Sequence, residues 1–208
     1  PITFNGAGGT FALNGALTQG STRITTLTNG TLNLAGYTYT CGSFATAAGT
    51  KNITFNGGTL TVPAPASGAT AFNNAAPTGF TTTAGTGTGT ISMTSASAKT
   101  FIGGGSTYNC TLNQGGAGAL TISGANTFNN ITATTVPSTI TFTSGTTSTF
   151  NNFNVNGTAG NLVTINSSTI GSQATLSKAS GTVSCDYLSI RDSNATGGAS
   201  WDAGTHST

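Results

Sequence analysis

The carboxylates of this chain are Asp186, Asp192 and Asp202, and all three lie in its last quarter. Enzymes that cleave polysaccharides use paired carboxylates, or several carboxylates around a metal beside a basic residue. Asp186 and Asp192 share strand parity and lie near Arg191, so they form the one candidate pair. Solvated charges on a final turn are the more common reason for such residues. We therefore expect no enzyme activity, and a polysaccharide-cleaving site is the alternative.

The other reactive residues do not form a recognisable site. His206 is the only histidine, and no motif places a Ser or Cys nucleophile beside it, so we interpret it as part of a tail. The oxygen-ligand spacing of a calcium loop is absent around the carboxylates. Cys41, Cys110 and Cys185 fit neither a dense disulfide framework nor a CxxC metal site, and we expect buried free thiols. We therefore predict no cofactor and no metal.

The composition indicates an all-β protein. Only 4% of the 208 residues are charged, against about 25% in an ordinary soluble domain, and Glu is absent. Polarity comes instead from Thr, Ser, Asn and Gly, which are poor helix formers that favour strands and turns. We expect almost no helix.

The charge pattern argues against two classes of partner. The five cations are scattered, with a net charge of +2, so they do not form the basic face that nucleic-acid binding needs. No run approaches the roughly 20 apolar residues of a membrane-spanning helix. The sequence begins PITFNG, without Met or a signal segment, and stops at DAGTHST. We expect a processed product or a fragment of a longer protein.

Internal repeats predict the fold. The segments TYNCTLN, TFNNITA, TFNNFNV and TVSCDYLSI align when Tyr108, Phe128, Phe150 and Val183 are superposed, and the last step is longer than the first two. A second set of strands, spaced by about 21 residues, runs between these four segments and is made of ALTIS (119–123), TITFTS (139–144) and LVTINS (162–167). Without helical periodicity, this pattern favours a parallel β-solenoid, or β-helix, of about 20–22 residues and two strands per coil.

The coils are expected to form one continuous domain. Residues 1–62 hold N-terminal coils, and residues 90–208 hold C-terminal coils, giving nine or ten in all. Residues 63–89 contain three of the five prolines, so we predict an irregular loop or insertion there.

Stacked coils place equivalent residues over one another, so the repeats predict a core ladder. The second position of each repeat would form an interior pile of Tyr108, Phe128, Phe150 and Val183. The fourth position would form an inward row of Cys110, Asn130, Asn152 and Cys185, in which neighbouring Asn amides hydrogen-bond. After the fourth position the apolar parity slips by one residue, which predicts a bend or bulge.

Thr-x-Thr sequences suggest a further alternative function. They occur within residues 36–41, 86–91 and 139–143. Outward Thr rows on a flat solenoid face can match an ordered water lattice, as in ice-binding β-solenoids. Thr is also simply the best polar residue for an exposed strand. Ice binding therefore stands as a second alternative.

The Thr-, Gly-, Asn- and Ser-rich strand pattern of the whole chain resembles β-helical regions of bacterial surface adhesins and of phage appendages. The resemblance is more specific over residues 187–208, YLSIRDSNATGGASWDAGTHST, where a final core strand precedes a small-residue loop with an aromatic. It implies a structural or adhesive fibre module that is extracellular, on a cell surface or on a virion. The implied partners are copies of itself or other fibre or virion subunits, and surface glycans stacked on aromatics such as Trp201 are another candidate.

Overall fold

The computed structural model describes residues 1–63 and 68–208, which form a parallel β-solenoid of about nine turns without a helix. The fold class predicted from the sequence is therefore confirmed. All strand pairs of the stack run parallel, with the chain winding from one turn to the next. The strands of the described residues are β1 (Ile2–Ala12), β2 (Leu17–Thr18), β3 (Ile24–Asn33), β4 (Thr38–Thr40), β5 (Ser43–Thr46), β6 (Lys51–Thr54), β7 (Thr59–Thr61), β8 (Ala69–Asn73), β9 (Phe80–Thr83), β10 (Thr90–Met93), β11 (Lys99–Ile102), β12 (Thr107–Gln114), β13 (Leu120–Ser123), β14 (Thr127–Ala133), β15 (Ser138–Phe142), β16 (Thr147–Asn154), β17 (Val163–Ser167), β18 (Ala174–Ser177), β19 (Thr182–Ser184), β20 (Leu188–Arg191), β21 (Ser193–Thr196) and β22 (Ser200–Asp202).

The strand pairings divide the wall of the solenoid into three faces. Face 1 contains the first halves of β1 and β3, then β5, β8, β11, β13, β15, β17 and β20. Face 2 contains the second halves of β1 and β3, then β6, β9, the first halves of β12, β14 and β16, then β18 and β21. Face 3 contains β2, β4, β7, β10, the second halves of β12, β14 and β16, then β19 and β22.

The repeats predicted two strands per turn, and the structure shows three faces because some strands continue around a corner. Tyr108 of β12 pairs with Phe128 of β14, and the next pair joins Thr111 to Asn130. Two residues of β12 therefore lie opposite one residue of β14. With its extra residue β12 keeps its alternation around the corner, whereas β14 and β16 turn it with two successive outward residues, so their inward positions shift by one. The parity slip in the sequence marks this corner.

The length of a turn varies with the corner loops. Phe101 pairs with Ile122 and Ile122 with Phe142, and these steps match the predicted length of a coil. Earlier in the chain, the steps from Phe44 to Phe72 and from Phe72 to Phe101 are clearly longer. Strand pairing sets the register of the stack, so extra residues can be accommodated in loops without disturbing it.

The segment 63–89 contributes to the stack as well as to its loops. Of this segment, residues 64–67 lie outside the described residues. The rest includes β8, which pairs with β5 and β11 on face 1, and β9, which pairs with β6 on face 2. The prolines indicated an irregular segment; Pro63 and Pro77 lie in connections and leave the backbone donors of β8 and β9 free to pair, and Pro65 lies outside the described residues.

Two aromatic columns fill much of the core. On face 1, Phe72 stacks on Phe44 with ring centroids 5.5 Å apart, and on Phe101 with centroids 4.6 Å apart. All three rings are fully buried. Rings stacked along a solenoid bury large apolar areas on both sides, so each turn stabilises its neighbours.

A glycine allows the close approach of the first two turns. Gly30 lies inside β3 with φ +90°, which an L side chain rarely adopts. A Cβ atom there would lie 2.4 Å from the carbonyl oxygen of Gly6 and 2.7 Å from that of Gly9. The corner between faces 1 and 2 therefore requires glycine at this position.

Candidate functional site

The first predicted column exists for three of its four residues. Tyr108 pairs with Phe128, and Phe128 with Phe150, in the parallel ladder of face 2. The ring centroids are 5.3 Å and 6.3 Å apart, and all three side chains are buried. The repeated phrase TFNN therefore places one aromatic ring above another in successive turns.

Val183 does not continue this column. It is buried but lies on face 3, where it pairs with Trp201. On face 2, β18 pairs with Thr147–Thr149 of β16 and occupies the place that Val183 was predicted to take. The long step from Phe150 to Val183 contains β17 and β18, so Val183 comes a whole face later than the repeat suggested.

The predicted inward row of Cys110, Asn130, Asn152 and Cys185 is corrected by the structure. Both cysteines are buried, but Asn152 is exposed and Asn130 only partly buried. Because of the bulge, Asn130 pairs with Thr111, so Cys110 does not lie over it. Asn130 and Asn152 do pair with each other, on the outer side of face 3.

An asparagine ladder does exist, one residue earlier and on the outside of face 2. The Asn151 Nδ2 donates to Asn129 Oδ1 at 3.2 Å. Asn129 and Asn151 directly follow the buried Phe128 and Phe150, so the alternation of side chains along a strand places their amides on the surface.

The cysteines are free and buried, as predicted. Burial raises the pKa of all three thiols, that of Cys41 to about 11. The thiolate is the reactive form, so these side chains act as small apolar groups in the core.

The carboxylates do not form the candidate pair, because each binds different groups. The Asp192 Oδ2 lies 3.4 Å from Arg191 Nε and accepts a hydrogen bond from Gly171 N at 3.0 Å. The Asp186 Oδ2 lies 2.8 Å from His206 Nδ1. Among the described residues, no three His, Cys, Asp or Glu side chains come together as metal ligands would.

His206 is an ordered member of the C-terminal end and not a loose tail. Its ring stacks on Tyr187 with centroids 4.5 Å apart, and its backbone N donates to Asp186 Oδ1 at 3.0 Å. Further along, Thr208 N donates to Leu188 O at 2.8 Å, and Ile190 N donates to Thr208 O at 2.8 Å. Asp186 and His206 thus fix a segment that pairs with part of the open edge of β20.

This contact predicts a local dependence on acid. The hydrogen bond from His206 is the main reason why the pKa of Asp186 lies below its ordinary value of 3.8. The charged carboxylate therefore favours the folded end above pH 3.8, and that contribution is lost as pH falls through the lowered pKa. Amide protection of Ile190 and Thr208, measured by hydrogen exchange, should fall in this acid range, and Asp186→Asn should reduce it already at neutral pH.

Asp192→Asn is the matched control for this prediction, because Asp192 bonds on the other side of the last turns, at Gly171. Equal protection of Thr208 in the wild type and in Asp186→Asn at neutral pH would show that the carboxylate does not hold the segment.

The C-terminal end of the solenoid contains an apolar hollow of about 250 Å³. Its walls include Phe153, Val183, Leu188, Ile190, Ala195 and Trp201. The Trp201 ring packs 6.1 Å from Phe153, and its Nε1 donates to Thr196 O at 3.2 Å. Trp201 therefore covers part of the open core and also lines the hollow.

The N-terminal end is also uncovered. The inward side chains of the first turn, Phe4, Phe11, Leu13 and Leu17, are only partly buried, whereas the equivalent residues of the next turn are fully buried. Phe4 and Phe11 pack together with ring centroids 5.1 Å apart. Both ends of the stack thus present apolar side chains that an additional turn would bury.

Two buried lysines were missed in the sequence, where all cations were interpreted as scattered. Lys51 and Lys99 are each 1% exposed. The Lys99 Nζ donates to Ser95 O at 3.0 Å and to Gly118 O at 2.6 Å, and Lys51 Nζ donates in the same way to two corner carbonyls. Burial lowers the pKa of both amines, that of Lys99 to about 8. The sequence contains a signal for this burial, because each lysine has the same strand parity as a core residue two positions later.

None of the described residues belongs to a helix with the length and hydrophobicity that a membrane crossing needs. Comparisons with protein-family models, with curated proteins and with solved structures found no match to this chain.

Proposed function

We propose that this protein is a non-enzymatic structural or adhesive fibre module that assembles end to end. The observation that carries the proposal is that the first and last turns of the described residues both leave apolar side chains uncovered. The first turn leaves Phe4 and Phe11 partly exposed, and the last turn leaves a hollow of about 250 Å³ open to solvent. Repeat proteins that act as soluble monomers need polar capping repeats at these places.

The backbone at the two ends supports the same conclusion. The first-turn strands β1 and β2 pair with the second turn only, so one edge of each is unpaired within the described residues. At the other end, the outer edges of β21 and β22 have no partner strand in that part of the chain. Unpaired parallel edges are templates for another chain.

The two ends differ from each other, so their contact would be head to tail. A head-to-tail contact that does not close into a ring generates an open filament. The partner that fits is another stretch of the same parallel coil, which is the rest of a longer chain, another copy of this protein or another fibre subunit. We therefore place the protein in an extracellular or cell-surface filament, or in a virion appendage.

The side walls of the solenoid are compatible with such an environment. Charged residues are scarce, and most backbone groups of the described strands are held in parallel ladders on both sides. Proteases require local opening of the chain, and a continuous ladder between buried aromatic columns makes opening costly. The resemblance to adhesin and appendage β-helices agrees with this role.

The experiment uses two variants that each block one end. Phe11→Asp places a charge in the first turn, and Ile190→Asp places one at the mouth of the hollow. We expect the wild type to form concentration-dependent rods, seen by sedimentation and electron microscopy, and each blocked variant to remain a monomer. A mixture of the two variants should form dimers and nothing longer, because one intact end of each kind remains.

The matched control is Ile170→Asp, because Ile170 is 78% exposed on the side of the solenoid and faces neither end. It should assemble like the wild type. A wild type that stays monomeric at all concentrations, or rods that persist in both blocked variants, would overturn the proposal. Circular dichroism of each variant verifies that the fold is retained.

A further inference from the structure

Face 3 carries two straight rows of outward polar side chains. Between them runs a buried row that includes Tyr39, Leu60, Ile91 and Leu112, so the residues on either side of it must point outward. The strands β2, β4, β7, β10 and β12 pair here without a register shift, which keeps the rows straight. One row consists of Thr38, Thr59, Thr90, Thr111, Asn130 and Asn152, and the other of Thr18, Thr40, Thr61, Ser92, Asn113, Thr132 and Asn154. Ser92 and the side-chain oxygen of Asn130 are buried, so the accessible hydroxyls of the array are those of its threonines.

The hydroxyls at the N-terminal end of these rows are free. Towards the other end, side chains bond to each other: Asn113 Nδ2 donates to Ser92 Oγ at 3.3 Å, and Thr132 Oγ1 donates to Asn113 Oδ1 at 2.9 Å. No described group forms a hydrogen bond with the hydroxyls of the seven threonines, which are Thr18, Thr38, Thr40, Thr59, Thr61, Thr90 and Thr111.

These hydroxyls form a fixed two-dimensional array. Neighbours within a row are one strand spacing apart, about 4.8 Å, and the two rows are two residues apart along each strand, about 7 Å. A branched Cβ leaves Thr few χ1 rotamers, so little side-chain entropy is lost when its hydroxyl and methyl are held in place. Such an array is preorganised for a partner that repeats with a similar spacing in two directions.

The chemistry of the array narrows the choice of partner. None of the row residues is ionisable and none is aromatic, so the partner is uncharged and is bound through hydrogen bonds and methyl contacts. The array covers only about 400 Å², given seven strand spacings and two rows. A stable protein interface buries about 800 Å² on each partner, so a second copy of the chain would be held weakly.

We propose that face 3 binds ice, with the free hydroxyls anchoring water molecules at lattice positions and the methyl groups ordering the water between them. Water next to small apolar groups is already orientationally restricted, which reduces the cost of joining it to a crystal. A partner that extends indefinitely in two dimensions can be bound irreversibly through a small patch, because every site of the array is filled together.

Face 1 provides the comparison on the same molecule. Its outward Thr100 and Thr121 pair in register, but the adjacent row holds Ala98 and Ala119 at these turns. The row that holds Thr100 and Thr121 ends at Arg191, which pairs with Asn166. The adjacent row regains hydroxyls at Thr139, Thr164 and Ser189, but Ala119 and Arg191 interrupt the pair of rows on either side. Face 1 therefore has no long double row of hydroxyls and carries a charge, and it should not bind ice.

The experiment measures thermal hysteresis, the gap between the melting and freezing temperatures of a crystal held in the protein solution. We expect a gap in the wild type that widens with concentration. Thr61→Tyr inserts a ring into the middle of the array and should remove most of the gap. Thr121→Tyr makes the same change at a similarly exposed strand position on face 1 and should leave the gap intact.

The end-blocked Ile190→Asp chain should show the same hysteresis as the wild type, which separates ice binding from filament assembly. Absence of a gap in both the wild type and Ile190→Asp would overturn the proposal. So would an equal loss in Thr61→Tyr and Thr121→Tyr, or a face-to-face dimer in Ile190→Asp that Thr61→Tyr dissociates. Unchanged circular dichroism and melting temperature in the Tyr variants verify their folding.

Discussion

Phe72→Ala should lower the free energy of unfolding by about 4 kcal/mol. Phe72 is fully buried in the middle of the face 1 column. Its ring stacks between those of Phe44 and Phe101, and it meets Phe80 and Tyr108 edge to face at 6.4 Å and 5.8 Å. Alanine would remove four aromatic contacts and leave a cavity that the neighbouring strands cannot close, because their hydrogen-bond ladders fix their positions.

Denaturant unfolding followed by circular dichroism measures this effect. In a stacked repeat protein each turn contacts only its neighbours, so a weakened central turn also uncouples the two halves. We expect the single transition of the wild type to broaden or divide in Phe72→Ala. Ile170→Ala is the control, because that side chain is 78% exposed and its loss should change stability by less than about 0.5 kcal/mol. A midpoint for Phe72→Ala equal to that of the control would contradict the role of the column.

The buried amine of Lys99 should make stability rise with pH in the alkaline range. Burial lowers its pKa in the folded chain to about 8, from 10.5. Between these values the unfolded chain binds more protons than the folded chain, so raising the pH favours folding. The contribution should reach about 1 kcal/mol at pH 9 and about 3 kcal/mol above pH 10.5.

Other groups change stability in the opposite direction over the same range. Burial raises the pKa of the thiols and of Tyr39 and Tyr108, so these groups stay neutral in the folded chain after they ionise in the unfolded one. Their contribution is present at neutral pH and is lost as pH rises above their ordinary values. The total stability therefore does not isolate Lys99, and a comparison with a variant is needed.

Lys99→Met provides that comparison. The two carbonyls that Lys99 binds keep a second donor each, because Gly118 N donates to Ser95 O and Gln114 Nε2 donates to Gly118 O. Methionine fills a similar volume without charge, so it should be tolerated. We expect the unfolding free energy of the wild type, measured from pH 7 to pH 10, to increase relative to that of Lys99→Met as the pH rises. A difference that is constant over this range would mean that the pKa of Lys99 is not lowered.

The aromatic columns show how far sequence periodicity can lead. Phe128 and Phe150 occupy the same position of two nearly identical phrases, and the repeat predicted their stacking. Phe44, Phe72 and Phe101 form an equally regular column, but longer corner loops separate them in the sequence. A loop of any length can join two stacked strands, so spacing in the sequence fails wherever the loops are long.

The asparagines show where the sequence did not predict the direction of the side chains. Asn130 and Asn152 pair in successive turns, yet they face outward because β14 and β16 each turn the corner with two successive outward residues, Asn129–Asn130 and Asn151–Asn152. Such a corner depends on how one strand meets the next, and the residues of a single strand do not specify it. The Thr-x-Thr segments predicted outward threonine rows, and 36–41 and 86–91 do contribute to those of face 3, but 139–143 lies on face 1, because irregular spacing conceals which strands share a face.

The charged residues were the least predictable from local pattern. Asp186 and His206 lie far apart in the sequence and were interpreted as a solvated turn and a tail, but the last turn brings them within 2.8 Å. Lys51 and Lys99 have the sequence parity of core residues, and only the corner carbonyls of adjacent loops make their burial tolerable.

The sequence by itself determined that this chain is an all-β parallel solenoid, because its residues are poor helix formers and its short strands repeat at about the length of one coil, so equivalent apolar side chains stack from turn to turn. The tertiary structure decided that the wall has three faces, which residues face outward and which ends stay open. The physical reason is that hydrophobic alternation acts within one strand, whereas the position of a corner is set by hydrogen bonding and packing between turns.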